Sequence, residues 1–181
     1  MKIIIADCSG AHDVLRQVDA VLVERGYETQ PMPLPRLGDL TASLCTAASY
    51  RLMDLAVWSD ALICLDSASA LLRHPRKIVW LLDGWPERRH VGSSKLEQAR
   101  SNFFQNLVRA VLLEAKAVLV PTAHGQERLS DAGIANAKIL AIPTQTKPQR
   151  MRFSFILDKL RGVEPEPAVD DWASLFRELS E

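Results

Sequence analysis

The 181-residue chain reads as an α/β domain built on a doubly wound, mostly parallel sheet of about six strands, with helices at its C-terminus. Short apolar runs such as Lys2-Ile-Ile-Ile-Ala-Asp7 and Asp60-Ala-Leu-Ile-Cys-Leu65 alternate with longer stretches whose apolar residues recur at helical spacing. The strand-like runs lack polar alternation, as strands covered on both faces do. Strands that alternate with helices imply right-handed crossovers and therefore parallel neighbours.

Taken in order, the first strand spans residues 2–7. After the turn Cys8-Ser9-Gly10-Ala11, the residues Val14, Leu15, Val18, Val21 and Leu22 mark one face of a helix, and Gly26 is placed to end it. Residues 27–31 suit a second strand, and Pro31, Pro33, Pro35 and Gly38 are expected to break all regularity up to Asp39. A second helix is expected over 41–58, a third strand over 60–65, a short helix over 67–73 and a fourth strand over 77–82. Residues 83–100 are rich in glycine, proline and serine and read as a long connection, closed by a helix over 102–115. A fifth strand over 116–121, a helix over 123–132 stopped by Gly133 and a sixth strand over 137–142 complete the sheet.

Beyond Pro143 the pattern changes. Residues 144–149 look like a linker, 151–161 a basic amphipathic helix, and Asp170 can cap a last helix with Trp172, Leu175, Phe176 and Leu179 on one face. The expected organisation is one domain over 1–143, with 144–181 supplying a linker and helices that pack on it or on a partner.

The 22 basic and 22 acidic residues balance, so no global field draws the chain to nucleic acid, and no nucleic-acid partner is expected. Cys8, Cys45 and Cys64 lie far apart without a Cys-x-x-Cys pair or matching histidines, so neither a zinc site nor a disulfide framework is indicated. The N-terminus enters an apolar strand directly and no run approaches the roughly 20 apolar residues of a membrane span. A cytoplasmic protein is expected. Its basic segment 147–161, with Lys147, Arg150, Arg152, Lys159 and Arg161 beside apolar residues, can lie on an anionic membrane or pack on a protein surface.

Ligands of an open parallel sheet bind outside the carboxyl ends of its strands, which directs attention to 7–12, 83–90 and 121–126. Ser9, Gly10 and His12 lead into the first helix, whose N–H groups can receive a phosphate or sugar oxygen; a simple tight turn capped by His12 or Asp13 is the competing reading. With one glycine the turn is neither a dinucleotide fingerprint nor a P-loop. Asp83, Gly84, Trp85, Arg88 and Arg89 form the richest polar cluster: paired guanidiniums clamp phosphates or carboxylates, and an indole offers a face for a sugar ring. A solvated loop anchored by Trp85 is the plainer alternative. Thr122 is a further candidate ligand contact beside His124, whose expected duty is capping. His74, at the amino end of a strand, is expected to be structural. No Ser/His/Asp or Cys/His nucleophile constellation appears, and Asp83 is the one weak catalytic candidate.

Two blocks carry a resemblance. Tyr50-Arg-Leu-Met-Asp-Leu runs into an apolar strand and then His74-Pro-Arg-Lys with a second strand; Leu113-Glu-Ala-Lys-Ala-Val-Leu-Val-Pro-Thr is followed by Gln126-Glu-Arg-Leu and Gly133-Ile-Ala. Together they resemble the acceptor-side, Rossmann-like domain of family 4-like retaining glycosyltransferases of the GT-B fold, over roughly residues 1–143. The resemblance implies half of a GT-B fold, a sugar or glycan acceptor, and a nucleotide sugar as donor substrate, with no cofactor or metal. The chain departs from the pattern where relatives carry a histidine after the fourth strand, here Asp83-Gly84, and a Gly-Gly pair after the first, here Ser9-Gly10. Residues 144–181 are too few for the C-terminal donor domain.

The resemblance therefore implies the acceptor-binding half of a split or truncated transferase, inactive alone and working with a donor-domain protein or as a homo-oligomer. Two alternatives stand beside it: a non-catalytic glycosyltransferase-like binding or interaction protein, and an unrelated doubly wound small-molecule enzyme, since fold does not dictate function.

Overall fold

The structure, a computed structural model, describes residues 1–35, 40–82, 94–135 and 137–139; all its described elements belong to one compact unit, Met1–Thr146. Six strands, β1 (Lys2–Asp7), β2 (Glu28–Pro33), β3 (Ala61–Cys64), β4 (Lys77–Trp80), β5 (Ala117–Val120) and β6 (Lys138–Ile139), form one sheet in the order β2-β1-β3-β4-β5-β6. Every pairing is parallel. Four helices connect them: α1 (His12–Glu24), α2 (Leu40–Leu52), α3 (Lys95–Leu113) and α4 (Ala123–Asp131), with a 3-10 turn over Ser69–Leu71 between β3 and β4. The fold is the expected doubly wound, Rossmann-like α/β architecture.

The chain steps from β1 outward to β2 and then returns across β1 to β3, so the strand order reverses between β1 and β3. Right-handed crossovers then require the connections before and after the reversal to lie on opposite faces. Packing agrees with this. Ile4, Ala6, Leu62, Cys64, Val79, Leu81, Val118 and Val120 form one cluster with Tyr50 of α2, Val108, Val111 and Leu112 of α3, and Leu129 of α4. The alternate strand residues Ile3, Ile5, Ile63, Ile78, Trp80 and Leu119 are buried as well, and alternation places them on the opposite face. Burial on both faces explains why these strands read as continuous apolar runs.

Several boundaries differ from expectation. The second strand continues through Pro31 and Pro33, paired with Ile5 and Asp7 of β1. It can do so because it is an edge. Glu28 and Leu34 donate their N–H groups to Met1 and Asp7; even-numbered residues therefore face β1, and the odd-numbered prolines fall where no ladder bond is lost. The second helix stops at Leu52 rather than near Trp58, because the chain turns to pair Asp54 with Arg73 and to donate the Leu55 N–H to the Arg73 carbonyl. The helix expected over 102–115 begins earlier, at Lys95, where Ser94 Oγ accepts the Glu97 N–H as an N-cap. Gly26 and Gly133 end α1 and α4 as expected, both at positive φ. In each case the N–H of the glycine and of the next residue return to the last turn: Gly26 to Val23 and Tyr27 to Leu22, Gly133 to Ser130 and Ile134 to Leu129. The linker and helices expected beyond residue 143 lie outside the described residues.

Two buried polar side chains brace the frame. Lys77, among the largest fully buried side chains, donates from Nζ to the carbonyls of Ala70 (2.8 Å) and Leu72 (3.1 Å). His74 accepts the Arg76 N–H at Nδ1 (2.9 Å) and lies 3.1 Å from the Ser59 carbonyl through Nε2. An Nδ1 that accepts leaves Nε2 as the donor, so the neutral Nε2–H tautomer satisfies both partners. Its role is the structural one expected of it.

Candidate functional site

The reversal between β1 and β3 opens the sheet's crevice at the carboxyl ends of these two strands. Two aspartates stand there, each following an apolar run: Asp7 closes β1 and Asp66 lies two residues past β3. They are 1% and 2% exposed, and burying carboxylates so thoroughly demands hydrogen bonds in return.

Asp66 obtains them entirely from protein. Its Oδ1 accepts the N–H groups of Ala68 and Ser69, both at 2.8 Å. Its Oδ2 accepts the Cys8 N–H at 2.6 Å and the Ser69 hydroxyl at 3.1 Å. Burial pushes its carboxyl above the ordinary range; the Cys8 and Ser69 N–H groups and the Ser69 hydroxyl oppose that rise, and Asp7 adds to it. With both oxygens occupied, Asp66 holds the turn after β1 against the turn after β3.

Asp7 is served on one side only. Its Oδ1 accepts the Ser9 hydroxyl at 2.6 Å and the Ser9 N–H at 3.0 Å, while its buried Oδ2 has no hydrogen-bond partner among the described residues. An unpaired buried acceptor costs roughly 1–3 kcal/mol, more for a charged group. Beside it begins α1. Gly10 takes a positive φ of 79°, and the N-cap position is held by Ala11, with no side chain accepting from the first turn. Alanine has no oxygen for this task, so the N–H groups and partial positive charge of the helix start are left to other acceptors. The buried Asp7 Oδ2 and the start of α1, which no N-cap side chain serves, thus flank the same β1–α1 turn at this end of the sheet.

A third group frames this corner. The Pro35 carbonyl receives both the Tyr50 hydroxyl at 2.7 Å and Cys8 Sγ at 2.8 Å. Burial, reinforced by Cys8 and Asp66, pushes the Tyr50 phenol up to about 12, so it remains the donor in this contact.

The candidates read from the sequence distribute unevenly over this geometry. Ser9, Gly10 and His12 share the β1–α1 turn. The Ser9 hydroxyl is committed to the turn itself, bonding Asp7 and accepting the Ala11 N–H at 3.1 Å. His12 is exposed at the first position of α1 and does not cap it. Thr122 caps α4 instead, its hydroxyl accepting the Gly125 N–H at 3.1 Å. It follows β5, three strands from β1 and so about 14 Å across the sheet. His124, expected to cap, lies exposed, with Nδ1 3.9 Å from Glu127. Asp83, Gly84, Trp85, Arg88 and Arg89 lie outside the described residues.

The importance of Asp66 and of the unpaired Asp7 oxygen was not anticipated. A signal was present: an aspartate directly follows the apolar run in both Ile5-Ala6-Asp7 and Cys64-Leu65-Asp66. Neither a protein-family model nor a curated protein matches this chain.

Proposed function

We propose that this chain is a glycosyltransferase-like acceptor-binding domain. Its ligand is a hydroxyl-bearing molecule of the sugar or glycan class, held at the β1/β3 crevice. Transfer takes place when a donor-binding domain supplies the nucleotide sugar. The observation that carries the reading is the buried, unpartnered Asp7 Oδ2 beside an uncapped helix start. A ligand hydroxyl that displaces the atoms covering that oxygen can donate to it while a neighbouring oxygen of the same ligand accepts from the first turn of α1. Vicinal hydroxyls present this pairing of donor and acceptor on adjacent atoms. Asp66 and Ser9 position the turn, and Asp7 makes the contact. The two sequence blocks that resemble family 4-like transferases supply the remaining support and the choice of carbohydrate over other polyols.

In the transfer itself, the bond from the anomeric carbon to the donor's phosphate oxygen breaks and one to an acceptor hydroxyl oxygen forms. The hydroxyl proton leaves with the nucleotide phosphate. The described residues contribute binding and orientation of the acceptor to this step.

The test is titration calorimetry of the purified chain against a panel of monosaccharides, cyclitols and short glycans, repeated with Asp7→Asn. Because Oδ1 must go on accepting from Ser9, asparagine turns its NH2 toward the vacant side and replaces the acceptor with a donor. Binding of a member of the panel, weakened tenfold or more by the substitution at unchanged thermal stability, is expected. A chain that binds none of these ligands, or whose binding ignores Asp7→Asn, overturns the reading. Co-purification from the native cell with a nucleotide-sugar-binding protein, and transfer on mixing the two, tests the donor half separately.

A further inference from the structure

The opposite end of the sheet carries a second surface. We propose that the amino end of β3, β4 and β5 is a docking face for an anionic lipid bilayer, with Val57 and Trp58 as its apolar wedge. The connection from α2 to β3 exposes Leu52 by 81%, Val57 by 90% and Trp58 by 65%, and the nearby end of α3 exposes Leu113 by 59%. The two helix ends meet here directly, because Arg51 of α2 pairs with Glu114 just past α3 at 2.6 Å.

The apolar tip is not a loose loop. Leu55 is buried beneath it. Its N–H bonds the Arg73 carbonyl, Trp58 and Ser59 donate back to the Leu55 carbonyl, Met53 accepts from Arg73, and the Ala56 N–H is held by Asp54 at 3.0 Å. The Ser59 carbonyl is clamped by His74. A turn so fully bonded holds Val57 and Trp58 in water by construction, at a hydrophobic cost that burial elsewhere removes.

Charge identifies the occupant. Arg51 and Arg73 are met by Glu114 and Asp54. Arg76 and Lys116, which stand immediately before β4 and β5, have no ion-pair partner among the described residues. Asp60, the acid nearest β3, accepts the neutral backbone N–H of Lys2 at 2.7 Å and keeps its charge, so the two cations Arg76 and Lys116 exceed it by one. What remains is an apolar wedge with an exposed indole and a small excess of positive charge at its rim. Tryptophan favours the membrane–water boundary, and each cation near an anionic leaflet adds to binding. The β1/β3 crevice, at the other end of the strands, stays open to water when this face docks.

The full chain is sedimented with vesicles of phosphatidylcholine, with and without phosphatidylserine, and with four further samples: Val57→Ser/Trp58→Ser, Arg76→Gln/Lys116→Gln, Arg150→Gln/Arg152→Gln, and wild type in high salt. Circular dichroism confirms that each variant folds. Binding to the anionic vesicles alone, weakened at least tenfold by each of the first two variants and by salt, is expected. Three results overturn the proposal: no binding to anionic vesicles, equal binding to neutral ones, or loss only with the Arg150/Arg152 variant, which assigns contact to segment 147–161. Self-association abolished by the Trp58 variant, without vesicle binding, places a second copy of the chain on this face and also overturns it. None of these variants touches Asp7, so the crevice assay stands or falls separately.

Discussion

Asp66 Oδ2 and the Cys8 N–H, 58 residues apart in sequence, lie 2.6 Å from each other and fasten the turn after β3 to the turn after β1. Since Asp66 accepts from four donors in all, an amide in its place must turn an NH2 toward one of them. Asp66→Asn is expected to cost about 1–3 kcal/mol in urea denaturation.

The cost should also depend on pH. The folded state holds the Asp66 proton above its ordinary value of 3.8, so between that value and the folded pKa the native protein carries a proton the unfolded chain has lost. The associated stabilisation is complete below the unfolded value and fades as pH rises through the folded one. The difference between wild type and Asp66→Asn should therefore widen toward acid. A difference that is flat or narrows there contradicts the assignment.

Lys77 gives the opposite slope. Burial, the dominant influence, lowers its pKa from 10.5. Over the interval between the lowered value and 10.5 the unfolded chain holds the extra proton, and stability rises with pH. Lys77→Met strips the Ala70 and Leu72 carbonyls of their donor and should cost about 1–3 kcal/mol. The deficit relative to wild type should grow as pH climbs through that interval. Chemical denaturation along an alkaline series measures both.

The three thiols should separate cleanly. Cys45 is exposed while Cys8 and Cys64 are buried, and burial pushes the Cys64 thiol up to about 12. Since the thiolate is the nucleophile, iodoacetamide near neutral pH is expected to label Cys45 rapidly in the folded protein and the other two after denaturation. Peptide mapping that finds Cys64 modified at a comparable native rate contradicts this.

Tyr50→Phe removes the hydroxyl that meets the Pro35 carbonyl and is expected to cost about 0.5–1.5 kcal/mol. The phenol ionises at about 12 rather than 10.0, so the wild-type advantage is complete below 10.0 and disappears as pH rises through about 12. Equal stabilities of the two proteins at neutral pH would show that the contact adds nothing.

The fold was legible because its strands are short apolar runs and its helix ends are marked by Gly26 and Gly133. The site was less so. Which strands flank the crevice depends on where strand order reverses, a tertiary property that local pattern does not contain, and so the turns after β1, β4 and β5 stand out in the sequence while Asp66 does not. The start of α3 was hidden for a different reason. Between 83 and 94 the glycines, prolines and serines outweigh the cap signal of Ser94 and Glu97, which is short and polar. Lys77 was hidden too: nothing in Lys77-Ile-Val-Trp separates a lysine that starts a strand in water from one whose ammonium group is spent on two carbonyls.

The prolines of β2 have an effect beyond the strand that carries them. Pro31 and Pro33 occupy successive outward positions of an edge strand, leaving carbonyls without N–H groups along its free side. A strand from another molecule approaching there can donate bonds but receive few in return, which defeats the edge-to-edge pairing that seeds aggregates. Replacing these prolines with valine, a stronger strand former, would turn a closed border into a template, and the first symptom should be loss of solubility rather than loss of fold.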